Sequence, residues 1–135
     1  MKKKLFKISI FFLLLSTATL FAGAVLISFT AESDGENIAL KWTTTNETNL
    51  NYFLVERKAV GGSFGVVSQP IQAKGDNSSY EFTDENAFKA NDVLFIYRLK
   101  IVDKDNHSSY SGEVSVSHSV SSVKRTWGSI KALFR

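Results

Sequence analysis

Residues 95–102 read FIYRLKIV and carry the clearest fold signal in the chain. Apolar side chains at the odd-numbered positions 95 to 101 alternate with a more polar set that includes Arg98 and Lys100. A period of two is typical of a β-strand that has one face on a core and the other towards water. We therefore predict Phe95–Val102 as the clearest strand of the chain.

The same period recurs on both sides of this stretch. Predicted strands cover residues 25–31, 37–45, 52–57, a short segment that ends near Pro70, and residues 80–83, 95–102 and 113–120. In the first strand, Val25, Ile27 and Phe29 are expected to share the buried face. Turn residues separate the strands, with Gly35 placed to adopt a positive φ. Seven short strands at this spacing predict an all-β chain with a single seven-stranded antiparallel β-sandwich.

Six segments in a fixed order carry a resemblance to a known family: LISFTA at 26–31, LKWTT at 40–44, NETN at 46–49, FLVER at 53–57, YEFTD at 80–84 and YRLKIVD at 97–103. Together they resemble the fibronectin type III-like module, with an immunoglobulin-like fold, of exported Bacteroidetes-type proteins. The resemblance implies a sandwich with Trp42 and Tyr97 as core markers, and a role as spacer, adhesive unit or accessory domain. Such modules often precede a type IX secretion sorting domain, which we expect to be absent after residue 118.

The first 24 residues have the pattern of a secretory signal peptide. Lys2, Lys3, Lys4 and Lys7 precede an apolar run at residues 8–15, and Ala22-Gly23-Ala24 ends the segment. The run is about half of the roughly 20 apolar residues that span a membrane. We predict a signal helix at 1–24, cleavage after Ala24, and a periplasmic, cell-surface or extracellular protein.

Charge and composition exclude several classes of function. Residues 25–120 carry 8 basic and 13 acidic residues, while residues 121–135 carry four basic residues and no acid. The net charge of +3 comes from the lysines of the predicted signal, so it is no sign of nucleic-acid binding. No cysteine is present, which excludes disulfides and thiolate metal sites. We predict domains at 25–120 and 121–135, the second a basic tail.

The tail has the pattern of a short amphipathic helix. Apolar Trp127, Ile130, Leu133 and Phe134 form one stripe, and Lys131 and Arg135 flank it. Three interpretations remain open: the tail packs on its own domain, docks on or addresses the chain to an envelope or extracellular protein, or makes a weak membrane-surface contact. The second makes these six side chains the candidate partner-binding site.

Residues with catalytic potential form no recognisable set. Asp103–Asn106 has calcium-like oxygen spacing but lacks the glycine and distal glutamate of an EF-hand loop, which favours a plain hairpin turn. The acidic residues are expected on turns and outward faces. We therefore predict a non-catalytic chain without cofactor or metal. The alternative to a structural or adhesive module is carbohydrate binding through the exposed aromatic residues Tyr52 and Tyr110.

Overall fold

The computed structural model describes residues 24–87, 93–118 and 130–134. The predicted signal peptide lies outside these residues except for Ala24. Antiparallel strands make up most of the described chain, so the all-β class is confirmed. Within the three described segments, no helix is long and apolar enough to cross a membrane.

Nine strands are present in the described residues, where seven were predicted: β1 Val25–Ser33, β2 Ile38–Asn46, β3 Leu50–Ala59, β4 Gly65–Val66, β5 Ile71–Gln72, β6 Ser79–Asp84, β7 Val93–Asp103, β8 Ser108–Tyr110 and β9 Val114–His118. Residues 130–133 form one helical turn. The additional strands arise because both edges of one sheet are interrupted.

The strands form two antiparallel sheets. One has three strands in the order β1-β2-β6, and the other has six strands with β3 and β7 paired at its centre. Strands β4 and β5 pair with successive parts of β3, while β8 and β9 pair with successive parts of β7. Each outer pair therefore acts as one edge strand broken in the middle. The exposed Pro70, which cannot donate to a ladder, lies in the break between β4 and β5.

Aromatic rings fill the core between the sheets. Trp42 on β2 stacks on Tyr80 of β6, with ring centroids 5.2 Å apart. It meets Phe53 of β3 edge-on at 5.5 Å, which joins the two sheets. Tyr97 on β7 is fully buried in the same cluster. Both Trp42 and Tyr97 therefore lie in the hydrophobic core.

Strand β1 departs from the predicted alternation. Val25 and Ile27 are 54% and 65% exposed, whereas Leu26 and Phe29 pack against the core. The cause is a shift in the pairing with β2 between Leu26 and Ser28. Because an irregularity of this kind changes the face on which later side chains emerge, the expectation that Val25 and Ile27 share the face of Phe29 was wrong.

The hairpin between β1 and β2 follows the predicted turn chemistry. Gly35 adopts φ 87°, a conformation that side chains disfavour. The Asp34 carboxylate accepts the backbone N–H groups of Asn37 at 2.6 Å and Glu36 at 2.8 Å. These bonds, that of Asn37 most strongly, lower the pKa of Asp34 below its ordinary value. The turn is thus held by side-chain hydrogen bonding as well as by glycine.

Candidate binding surfaces

The solvent side of the six-stranded sheet carries a row of aromatic and cationic side chains. Alternation places the even-numbered residues of β3 and β7 on this side, because Phe53, Val55, Tyr97 and Leu99 are buried on the other. We call it the outer face and define it by Tyr52, Glu56, Lys58, Phe64, Arg98, Lys100 and Tyr110.

Arg98 is the centre of the outer face. Its guanidinium carbon lies 3.9 Å from the ring centroid of Phe64 and 3.8 Å from that of Tyr110. The Arg98 Nε donates to Glu56 Oε2 at 2.7 Å across the β3–β7 pair. Lys58 continues the row, with its Nζ 4.3 Å from the Phe64 centroid. Cations and aromatic rings therefore alternate across the width of the sheet.

The two tyrosines considered for sugar stacking lie on this same face. Tyr110 on β8 pairs with Lys100 of β7 and is 50% exposed. Tyr52 on β3 is half-buried and pairs with Val102, which is two residues after Lys100 on β7. The sheet thus places Tyr52 and Tyr110 on one surface, two strands apart.

The outer face, counted together with Glu113 beside Lys58, has one more positive than negative charge. Its cations are Lys58, Arg98 and Lys100, and the facing acids are Glu56 and Glu113. Glu113 lies 3.7 Å from Lys58, and Glu56 holds Arg98. Within the described residues, Lys100 has no acidic partner, so it retains an unmatched charge on a domain that is acidic as a whole.

No family model matches the chain, and no curated protein matches it. Among solved structures, it is similar to a β-1,2-glucanase from Parabacteroides distasonis, with a TM-score of 0.49 and 18% sequence identity. The similarity covers 78% of this chain and 14% of the glucanase chain, so this chain spans a small part of that protein.

The described part of the tail presents apolar side chains to solvent. Leu133 and Phe134 are 83% and 86% exposed, and Ile130 is partly exposed. Lys131 lies exposed in the same helical turn. Trp127 and Arg135, the other two residues of the predicted partner-binding set, lie outside the described residues. The structure therefore places four of the six together, with Leu133 and Phe134 largely free of the domain.

Buried acids are the main feature that the sequence reasoning missed. Asp84, 1% exposed, accepts hydrogen bonds from Arg57 Nη1 at 2.5 Å and from the Tyr97 hydroxyl at 2.9 Å. Burial, followed by the charge of Asp84, raises the pKa of Tyr97 far above its ordinary value. The expectation that acids occupy turns and outward faces was therefore wrong for Asp84, since Arg57 and Tyr97 compensate its burial.

Glu47 is a second buried acid with a structural task. It accepts hydrogen bonds from the hydroxyls of Thr44 and Tyr80, each at 2.6 Å, and from the backbone N–H groups of Lys74 and Gly75. Desolvation and the bond to Glu47 raise the pKa of Tyr80 to about 12. Glu47 thus ties the loop before β6 to the turn between β2 and β3. Four donors occupy its carboxylate oxygens, which leaves little capacity for a ligand.

The turn Asp103–Asn106 joins β7 to β8. Asn106 adopts φ 66° and donates its backbone N–H to the Asp103 carbonyl at 3.0 Å, and Asp103 donates to the carbonyl of His107 at 2.9 Å. His107 Nδ1 lies 3.0 Å from Asp105. Among the residues that the structure describes, no three metal-ligating side chains are grouped to hold an ion. The arrangement is that of a hairpin turn.

His118 is a buried polar residue that the sequence did not indicate. It lies at the end of β9, fully buried, and its Nδ1 is 2.9 Å from Ser33 Oγ at the end of β1. Its Nε2 has no hydrogen-bond partner in the described part of the chain. The bond to Ser33 links the two sheets at one corner, which gives His118 a structural role.

Proposed function

We propose that the chain is an exported, non-catalytic interaction module, and that its C-terminal segment docks in an apolar groove of an envelope or extracellular protein. The observation that carries the proposal is the exposure of Leu133 and Phe134, at 83% and 86%, at the end of the helical turn. Exposed apolar side chains at adjacent helical positions favour a groove on another protein. A partner groove with an acidic rim is expected because the last 15 residues carry four cations and no acid.

A fibronectin type III-like sandwich is proposed as the scaffold. When β4 with β5 and β8 with β9 are each counted as one interrupted edge, seven strands remain, with three in one sheet and four in the other. This arrangement supports the resemblance of residues 25–118 to that module. We also propose a signal peptide at 1–24, on the basis of its basic and apolar pattern.

The non-catalytic part of the proposal is supported by how the buried acids are used. The carboxylates of Asp84 and Glu47 are engaged by donors from neighbouring strands and loops. A general acid or base must reach a substrate proton. Groups already held in the packing of the sheets are poorly placed for that task.

Substitution of two residues tests the docking proposal. Leu133→Ser with Phe134→Ser removes the exposed apolar surface of the tail, and Val60→Ser with Val66→Ser is the matched control. The control residues are also exposed apolar side chains, at 63% and 53%. The tail variant should keep its melting temperature, leave its normal cell fraction and lose a specific crosslink, whereas the control should keep all three.

Two results would replace the docking proposal with another interpretation of the tail. A lower melting temperature in the tail variant alone would mean that the segment packs on its own domain. The tail variant could instead lose its binding to anionic lipid vesicles and leave its normal cell fraction while every protein crosslink is retained. That result would mean that the tail contacts a membrane surface.

Carbohydrate binding is the second candidate function. It is favoured by one specific observation, the placement of Tyr52 and Tyr110 on the same face of the six-stranded sheet. Aromatic side chains have flat apolar rings with a polar tip, which suits contact with a sugar ring and its hydroxyls.

A further inference from the structure

We infer that the outer face binds a saccharide that carries carboxylate groups, a uronic-acid oligosaccharide being the simplest example. Tyr52 and Tyr110 stack against sugar rings in this arrangement, and Arg98 and Lys100 pair with a carboxylate. The inference rests on the carbohydrate-binding candidate and adds to it the chemical class of the glycan.

The first observation is the state of the Arg98 guanidinium. An arginine has five N–H donors, and Glu56 takes the one on Nε. No residue in the described part of the chain accepts a hydrogen bond from its Nη atoms. The rings of Phe64 and Tyr110 lie within 4 Å of its central carbon, so the group is held in place before a ligand arrives. Arginine donors fixed in this way match the two oxygens of a carboxylate.

The second observation is the placement of charge. Residues 25–120 have a net charge of −5, yet the outer face together with Glu113 has an excess of one positive charge. The unmatched cation is Lys100, which lies between Tyr110 and Leu54 in the pairing of the sheet. A cationic patch on an acidic domain attracts an anionic group to this face and disfavours it elsewhere.

The third observation is the spacing of the aromatic rings around these cations. Tyr110 on β8 is the cross-strand neighbour of Lys100. Tyr52 lies on β3, which pairs with the opposite edge of β7. A ligand that stacks on either tyrosine therefore brings its substituents next to Lys100. A neutral glycan would use the rings alone, whereas a uronic acid uses the rings and the cations together.

Calorimetric titration of the full exported chain tests the inference with two matched ligands. Trigalacturonate carries three carboxylates, and its methyl ester has the same rings without the charge. Trimannuronate provides a second acidic ligand with a different ring configuration. We expect an acidic trisaccharide to bind about tenfold more tightly than the ester, a difference that added salt reduces.

Three single variants locate the contact. Lys100→Gln should weaken acidic-ligand binding about threefold, in keeping with one exposed ion pair. Arg98→Lys keeps a cation next to Glu56 but loses the planar fork, and should weaken binding about tenfold. Lys41→Gln, on the other sheet with a side chain 60% exposed, is the charge-matched control and should leave affinity unchanged.

Several outcomes would overturn the inference. Equal affinity for acid and ester would leave carbohydrate binding in place and remove the acidic ligand class. Failure of all three saccharides to bind would remove both. Equal binding of an oligonucleotide of the same charge, or an equal effect of Lys41→Gln and Lys100→Gln, would mean that charge alone is recognised. Each of these results contradicts the proposed site. Lys100→Gln is the informative variant because, in the part of the chain that the structure describes, it breaks no side-chain hydrogen bond and no ion pair.

Discussion

Val55 and Leu99 lie opposite each other at the centre of the six-stranded sheet, and each donates its outward N–H to a serine hydroxyl at 2.8 Å. The acceptors are Ser68 on one side and Ser111 on the other. Both serines lie where an edge strand is interrupted, between β4 and β5 and between β8 and β9. A hydroxyl therefore replaces the missing ladder carbonyl at the same level on both edges, which keeps the central N–H groups satisfied.

This symmetry predicts a stability cost when either hydroxyl is removed. Ser111→Ala leaves the Leu99 N–H without its acceptor and should lower the free energy of unfolding by about 1–2 kcal/mol. Ser109→Ala, two residues earlier in β8 and exposed, is the control and should change it by less than about 0.5 kcal/mol. Urea denaturation measures both. Equal midpoints for the two variants would show that water substitutes for the Ser111 hydroxyl.

The ion pair that joins the sheets should contribute far more than an exposed one. Asp84→Asn removes the charge that Arg57 and Tyr97 share, and should destabilise the fold by about 3 kcal/mol because Arg57 then lacks its counter-ion. Glu81→Gln breaks the exposed pair with Lys41, 3.9 Å apart, and should cost about 0.5 kcal/mol or less. Urea titration of both variants at neutral pH makes the comparison. Similar losses would refute a special role for Asp84.

Stability should fall at alkaline pH because of buried tyrosines. The pKa of Tyr80 is raised to about 12, and that of Tyr97 is raised further, while both return to about 10 on unfolding. The unfolded state then binds fewer protons than the folded state above pH 10. These two tyrosines therefore leave the free energy of unfolding unchanged below about pH 10 and lower it as the pH rises towards 12.

The variant Tyr80→Phe separates this titration from general alkaline denaturation. It should be less stable than the parent at neutral pH, since the hydrogen bonds to Glu47 and Lys74 are lost. Its stability should also fall less steeply between pH 10 and pH 12. Tyr52→Phe, on the outer face, is the control. Stability is measured by urea denaturation at each pH, and tyrosine ionisation is followed by tyrosinate absorbance. If the stability of the parent and of Tyr80→Phe fell in parallel between pH 10 and pH 12, the alkaline loss would not be due to Tyr80.

Substitution by alanine should affect stability differently at two glycines that have equal space around them. Nothing lies within 4 Å of a Cβ added at Gly61 or at Gly112, but Gly61 has φ 77° and Gly112 does not have a positive φ. Gly61→Ala should destabilise by about 1 kcal/mol, and Gly112→Ala should be neutral or slightly stabilising. Thermal unfolding of both variants checks the prediction. The reverse order would mean that the turn at Gly61 rearranges freely.

Strands could be predicted from the sequence where apolar and polar residues alternate regularly. Residues 95–102 and 37–45 follow a period of two without interruption, and both became long strands with the predicted faces buried. Prediction failed at β1 because a bulge near Leu26 reverses the faces, and pattern alone does not reveal a shift in pairing. The tail side chains Ile130, Lys131, Leu133 and Phe134 were identified from sequence, while Phe64 and Arg98 of the outer face were not.

The all-β class and the inward positions of Trp42 and Tyr97 could be predicted before the structure was known, because the periodicity of apolar side chains is a local property of the chain. Which polar groups meet, by contrast, depends on how the strands pair. Asp84 with Arg57, and Arg98 between Phe64 and Tyr110, are separated by 12 or more residues and come together only through strand pairing and register. Burial of an acid beside its cation depends on such distant contacts, and no local pattern records them.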